Sequence, residues 1–238
     1  MKIKGVVLAG GTGSRLFPLT KVTNKHLLPV GKKPMIFHPI EQLVGARITD
    51  IMIVTGPDHM GDIVGLLGSG REFGCQFTYR VQDEAKGIAH ALGLARDFAR
   101  DHSVAVVLGD NIFQHSLSYV VQRYADQQGG ARVVVKEVHD PSRYGVAAIA
   151  NHKITAIVEK PQNPTSSFAV TGFYLYDHHV FSIIDQLKPS GRGELEITDV
   201  NNYYAQHSKL HFDVAEGWWT DAGTFDSLIL ANDYLKDA

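Results

Sequence analysis

The chain has 238 residues, 44% of them hydrophobic, with 23 basic against 25 acidic side chains. That is enough apolar material for one large core, or one core with an appended lobe. The near-neutral balance, with no basic run and no acidic tail, argues against nucleic-acid partners and against disorder. The apolar runs are too short to span a membrane.

The chain opens with Met1-Lys2-Ile3-Lys4 leading into Val6 to Ala9, so this start reads as a strand and not as a signal peptide. A short apolar run bounded by glycines is the pattern of a buried parallel strand. Gly10, Gly11 and Gly13 follow directly. Such a turn lets a ligand approach the main chain, and successive N–H groups in it make a concave anion site. Arg15 and Lys25 add two cations. The spacing alone is compatible with a plain tight turn; the cations favour phosphate. The stretch is not a P-loop, because no Gly-Lys-Ser/Thr occurs. It fits only the first half of the dinucleotide fingerprint, since Leu16 occupies the third glycine position, and Pro18 argues against a helix there. Val54-Thr55 also stands where that fingerprint needs an acidic residue, which counts against a nicotinamide oxidoreductase.

Residues 34–44 read as a helix with Pro34 in its first turn and Pro39 bending it. Strands follow at 51–54, 76–81 and 103–108, with helices at about 58–68 and from Lys86 to Arg100 between them. This alternation predicts an α/β fold: a Rossmann-like, doubly wound, mostly parallel sheet. Ligands in such sheets bind beyond the carboxyl ends of the strands. That places Gly10 to Gly13, Gln82 and Asp110 together. The lone Cys75 reads as a buried core thiol in a reducing compartment.

Beyond residue 112 the character changes. A helix at about 116–127 precedes strands at 131–137, 145–150, 153–158 and 168–176, with a loop around Pro161 and Pro164. This predicts a smaller mixed or antiparallel extension. Asp177 would cap a helix running to Leu187, another spans Glu194 to Gln206, and Thr224 caps a last one to Leu235. No repeat or linker interrupts the chain, so one domain is expected, with 1–112 mainly one lobe and 113–238 the other. The twelve histidines suggest no zinc site and read mostly as surface or capping residues.

Several motifs in register carry a resemblance. They are Leu8-Ala9-Gly10-Gly11-Thr12-Gly13-Ser14-Arg15-Leu16 with Lys25, Val107-Leu108-Gly109-Asp110-Asn111, Arg143-Tyr144-Gly145-Val146, Glu159-Lys160-Pro161, Val170-Thr171-Gly172, residues 191–199 and Trp219-Thr220-Asp221. Together they resemble the sugar nucleotidyltransferase family, most nearly its members that use dTTP and glucose 1-phosphate. The resemblance implies transfer of a nucleotidyl group from dTTP (or UTP) to a sugar 1-phosphate, in the cytoplasm, by a homo-oligomer that needs Mg²⁺. The same transfer on another sugar phosphate and a catalytically silent regulatory member are the alternatives.

The resemblance also implies roles. Arg15, Lys25, Asp110, Lys160 and Asp221 would be catalytic, with Asp110 and Asp221 holding the metal. Leu8, Gly10, Gly11, Thr12, Gly13, Arg15, Lys25, Gln82, Gly87 and Asp110 would bind the nucleotide. Asn111, Tyr144, Gly145, Glu159, Lys160, Val170, Tyr174, Arg192 and Glu194 would bind the sugar phosphate. Residue chemistry suits these roles: cations and loop amides neutralise phosphate, magnesium prefers one or two carboxylates with water and phosphate oxygens, and a carboxamide can match a pyrimidine edge. Gly87-Ile88-Ala89-His90-Ala91 departs from the family's usual Gly-Leu-Ala-Gln-Ala, and His26 stands where many relatives carry Gln. Longer bacterial relatives continue into further C-terminal helices that help form a regulatory site. Feedback inhibition is therefore expected to be weak or differently organised here.

Overall fold

The computed structural model describes residues 2–236. The first strand, β1 (Ile3–Ala9), enters the glycine loop, and residues 14–27 form only short 3₁₀ turns. A two-residue hairpin, β2 (Pro29–Val30) with β3 (Lys33–Pro34), precedes α1 (Phe37–Gly45). Pro34 thus sits in the hairpin, outside the helix. Pro39 is the third residue of α1, where an N–H has no intrahelical acceptor to lose, so it does not bend the helix.

The chain continues through β4 (Asp50–Thr55), α2 (Met60–Leu67), β5 (Gln76–Val81), α3 (Ile88–Gly93), α4 (Arg96–Ala99) and β6 (Ser103–Leu108). The helix expected over 86–100 is two short ones, broken at 94–95 just after Gly93, a weak helix former. Strands β6, β1, β4 and β5 lie side by side in that order, all parallel, with Val6 opposite both Met52 and Val106.

The period-two alternation of side chains divides the apolar runs between two cores. Val6, Leu8, Met52, Val54, Val104 and Val106 face Ala89, Leu92 and Ala99 on one side. Val7, Ile51, Ile53, Ala105 and Val107 face Ile40, Leu43, Ile63 and Leu67 on the other. Each fully buried Val, Ile or Leu contributes roughly 1.5–3 kcal/mol. A sheet covered on both faces has only its strand ends left for a ligand, which is why the glycine loop lies there.

The second half extends this same sheet. After β7 (Asn111–Phe113) and α5 (Ser118–Ala125) come β8 (Ala131–Glu137), β9 (Gly145–Ala150), β10 (Lys153–Glu159) and β11 (Phe168–Tyr176). Strand β11 runs antiparallel to β6, with Phe173 opposite Val107, and also pairs with β8 and β9. Its register against β8 shifts between Val170 and Tyr174. The bend this irregularity allows falls where Val170 to Gly172 meet the cavity described below.

The chain ends with α6 (Val180–Ile184), α7 (Ile197–Gln206), β12 (Leu210–Val214), β13 (Trp219–Asp221) and α8 (Phe225–Tyr234). Thr224 caps α8 as expected, in a reciprocal capping box with Ser227. The helix expected from Asp177 shrinks to α6. The Asp177 carboxylate instead accepts hydrogen bonds from Gly130 N–H, His179 N–H and the Tyr204 hydroxyl, joining three segments. Cys75 is buried, as its sequence context suggested. Among the described residues no helix is long and apolar enough to cross a membrane.

Candidate active site

A cavity of about 360 Å³ opens beyond the carboxyl ends of β1, β5 and β6. Of the residues singled out from sequence, all but Thr12 and Gly13 line it. A larger, open recess of about 1740 Å³ lies at the other end of the sheet, by Ile3, Asp50 and Gln76 where strands begin, and holds none of them.

The centre of the cavity is an ion pair. Lys25 Nζ lies 2.5 Å from Asp110 Oδ2, with both side chains nearly buried. Burial alone would raise the Asp110 pKa, but the Lys25 ammonium and the Asn111 amide N–H outweigh it and hold the carboxyl well below the usual carboxylate range. His26, fully buried beneath, donates from Nδ1 to Asn24 Oδ1 at 2.7 Å. Desolvation, then the neighbouring Lys25, push its pKa down to about 3, so it is neutral and adds no charge to the pair. Arg15 has no ion-pair partner among the described residues and extends from the exposed loop.

The two aspartates meet through a short pairing. Strand β13 is antiparallel to β7, setting Asp221 opposite Asn111, and Ala222 N–H donates to the Asp110 carbonyl at 2.8 Å. The chain at Gly223 passes so close that a Cβ there would stand 3.2 Å from Arg15 Nη2 and 3.3 Å from Asp110 Oδ2. Burial, then repulsion from Asp110, raise the Asp221 pKa, while Arg143 at 3.6 Å and the Tyr144 hydroxyl at 3.2 Å partly offset this. A buried carboxylate and a partly buried one that repel each other are a hard-oxygen donor set suited to a small divalent cation completed by water and phosphate oxygens. No group of three or more His, Cys, Asp and Glu gathers for a metal among the described residues. His207 and His211 do stand four apart, but the first follows α7 and the second lies on β12, so they share no helix face.

On the β5 side, Gln82 is buried just past the strand end. Its amide nitrogen faces the Gly87 carbonyl at 3.4 Å and His90 Nδ1 at 2.9 Å. Gly87 has φ +98°, and a Cβ there would stand 2.5 Å from the Leu195 carbonyl oxygen. Only glycine permits that backbone approach, which ties the loop before α3 to the segment before α7.

The opposite wall comes from the second half. Glu159, at the end of β10, accepts a hydrogen bond from the Thr198 hydroxyl at 2.6 Å. Lys160 follows with φ +43°, a strained position for a residue with a side chain, and lies 3.6 Å from Glu159 Oε1. Arg192 is shared among Glu159, Glu194 and Glu196 at 3.4, 3.4 and 2.8 Å. Gly145, Val170 and Tyr174 complete this wall. Asn111 is more committed than its sequence role suggested: Oδ1 accepts from Gly172 N–H and Trp219 Nε1–H, Nδ2 donates to Asp110, and one N–H remains.

Sequence reasoning passed over Arg143, Glu196, Thr198 and Trp219 as site residues, although each falls inside or beside a motif already noted. Glu194 and Glu196 leading into α7, with Thr198 in that helix's first turn, were the available signal.

Comparison with known proteins gives the chain's family. The chain matches the family model described as nucleotidyl transferase over residues 4–238. It is 41% identical to glucose-1-phosphate thymidylyltransferase of Neisseria meningitidis, covering 98% of this chain and 83% of that protein. It is 44% identical to the enzyme of that name from Xanthomonas campestris, covering 98% and 80%. A Bacillus anthracis protein provisionally named a glucose-1-phosphate thymidylyltransferase, crystallised with sucrose, superposes with a TM-score of 0.96 at 58% identity over 99% of this chain and 96% of that one. The crystal structure of a UDP-glucose pyrophosphorylase with UDP-glucose matches at a TM-score of 0.84 and 27% identity over the full length of both chains. With the predicted motifs gathered around one cavity and these relatives aligned along nearly its whole length, the chain belongs to the nucleotidyl transferase family.

Proposed function

We propose that the protein converts dTTP and α-D-glucose 1-phosphate to dTDP-glucose and pyrophosphate. The observation that carries this is the convergence of Arg15, Lys25, Asp110, Asp221 and Lys160 on one cavity from five separate stretches of the chain. The nucleophile is a phosphate oxygen of the sugar 1-phosphate, already anionic, so the site needs no protein nucleophile. It needs positioning and charge neutralisation.

On this reading the backbone amides of Gly10 and Gly11 and the uncommitted Arg15 hold the triphosphate at its leaving end. Lys25 lies where charge grows on the phosphate under attack, and preorganised cations of this kind stabilise a transition state by roughly 3 kcal/mol or more. Lys160 and Arg192 neutralise the sugar phosphate, and Glu159, fixed by Thr198, accepts from sugar hydroxyls. Asn111 holds Asp110 in place and keeps one N–H for the hexose. Asp110 and Asp221 would bind magnesium, which when present neutralises phosphate oxygens. Residues 1–112 then mainly serve the nucleotide and 113–238 the sugar phosphate, within one catalytic unit.

The test is a pyrophosphate-release screen of dTTP, UTP, CTP, ATP and GTP against a panel of sugar 1-phosphates. The pair dTTP and glucose 1-phosphate should give the highest kcat/KM. UTP is the second candidate, favoured by the likeness to the pyrophosphorylase solved with UDP-glucose. No release with any pair, or a preference for purine nucleotides, would refute the proposal.

A further inference from the structure

We infer that His90 is a positioning residue that fixes the Gln82 carboxamide with its oxygen toward the base, and so biases the site toward pyrimidines bearing an N–H at N3. The inference rests on the nucleotide-site reading above and sharpens it.

A carboxamide seen from its heavy atoms can be turned either way, so its neighbours must decide. Here they do. The Gly87 carbonyl oxygen can only accept, so the Gln82 atom 3.4 Å from it is the nitrogen. That same nitrogen lies 2.9 Å from His90 Nδ1. Nδ1 must therefore be the acceptor, and the ring proton sits on Nε2. Both amide N–H groups of Gln82 are then engaged by the protein, one by Gly87 and one by His90.

Only Oε1 is left for a ligand. It lies beside the glycine loop, where a Cβ at Gly10 would stand 3.0 Å from it, and both residues line the cavity. A side chain that sequence reasoning credited with both donor and acceptor is thus reduced to an acceptor. Uracil and thymine present an N–H donor at N3, whereas cytosine presents a lone pair there. An acceptor facing N3 satisfies the first and repels the second. Specificity of this kind comes from the unpaired or opposed group in the wrong complex. Gln82 is 6% exposed, so a mismatched oxygen has little water to turn to.

The experiment compares UTP with CTP, in equilibrium binding and in kcat/KM for pyrophosphate release with glucose 1-phosphate. The proteins are wild type, His90→Leu and His90→Asn. Leucine removes the closer of the two acceptors, at 2.9 Å, and leaves only the long 3.4 Å contact to the Gly87 carbonyl to hold the amide, so the amide turns more readily. The UTP-over-CTP preference should fall about tenfold, the order of one neutral hydrogen bond. Asparagine offers Oδ1 three bonds from Cα, as Nδ1 is, and should keep the preference within about threefold of wild type. His90→Ala is the second removal if His90→Leu does not fold.

An unchanged preference in the leucine or alanine variant overturns the inference. So does equal loss of preference in the asparagine variant, or a drop in affinity for UTP and CTP alike, since either marks a packing role. Wild type that prefers UTP in binding but releases no pyrophosphate sinks the enzymatic proposal and leaves this inference standing. Wild type that fails to distinguish the two nucleotides in binding sinks this inference, whatever its turnover.

Discussion

Replacing Lys25 with Met tests the centre of the site. The ammonium and the Asp110 carboxylate lie 2.5 Å apart, with side-chain exposures of 13% and 12%. At an effective dielectric of about 20 their gross attraction is roughly 6–7 kcal/mol. Desolvation offsets much of this while both charges are present. With Lys25 gone Asp110 remains buried without its counter-charge, and breaking such a pair costs about 3–5 kcal/mol. The carboxyl has one escape, which is to take up a proton. At pH 7 that costs about 1.4 kcal/mol for each pH unit above the ordinary carboxylate value near 3.9, or about 4 kcal/mol. The two routes agree, so Lys25→Met should lose about 4 kcal/mol of stability at pH 7.

The sign with pH follows. In wild type the Asp110 pKa is depressed, so its contribution is present above pH 4 or so and is lost on further acidification. In the variant the same pKa is raised, so the deficit is largest at high pH and shrinks to about 1.5 kcal/mol at pH 5. Denaturant unfolding of wild type, Lys25→Met and the double variant Lys25→Met/Asp110→Asn at both pH values measures this. The double variant should recover most of the loss at pH 7, because a neutral amide needs no counter-charge. A deficit under about 1 kcal/mol at pH 7, a deficit that does not shrink at pH 5, or no recovery in the double variant would refute the reasoning.

Two more outcomes are expected. Asp110→Asn should lower turnover at least about 100-fold and weaken equilibrium binding of Mn²⁺ used as a probe, through loss of one metal carboxylate; near-wild-type turnover would remove Asp110 from that role. His26, whose pKa is pushed down to about 3 by burial and Lys25, stays neutral in the fold but charges in the unfolded chain below about pH 6.5. Its contribution is therefore intact above that pH and falls by about 2 kcal/mol by pH 5. Thermal unfolding of His26→Gln at pH 7.5 and 5 should show a smaller pH-dependent loss than wild type, and an equal loss would show that His26 is not the group responsible.

Much of the fold was legible because it is written in local patterns. The apolar runs at 6–9, 51–54 and 103–108, bounded by turn residues, read as strands buried on both faces, and their order with intervening helices implied a parallel sheet with its ligand at the strand ends. Thr224 announced the start of α8 through its own side chain. The glycines after β1, with Arg15 and Lys25, marked the loop. The short pieces β7, β12 and β13 gave no such sign, because three to five residues hold too little of any period to stand out from a loop.

What the sequence could not settle was which distant parts meet. Asp110 and Asp221 share a cavity only because β13 pairs with β7, and backbone hydrogen bonds of that kind look alike whatever side chains accompany them. The same holds for β11, whose insertion between β6 and β8 joins both halves into one sheet, and for the His90 ring that turns Gln82 from a two-way group into an acceptor. Residue types and their local spacing determined the elements and the chemistry on offer; long-range pairing decided which of those groups stand close enough to act together.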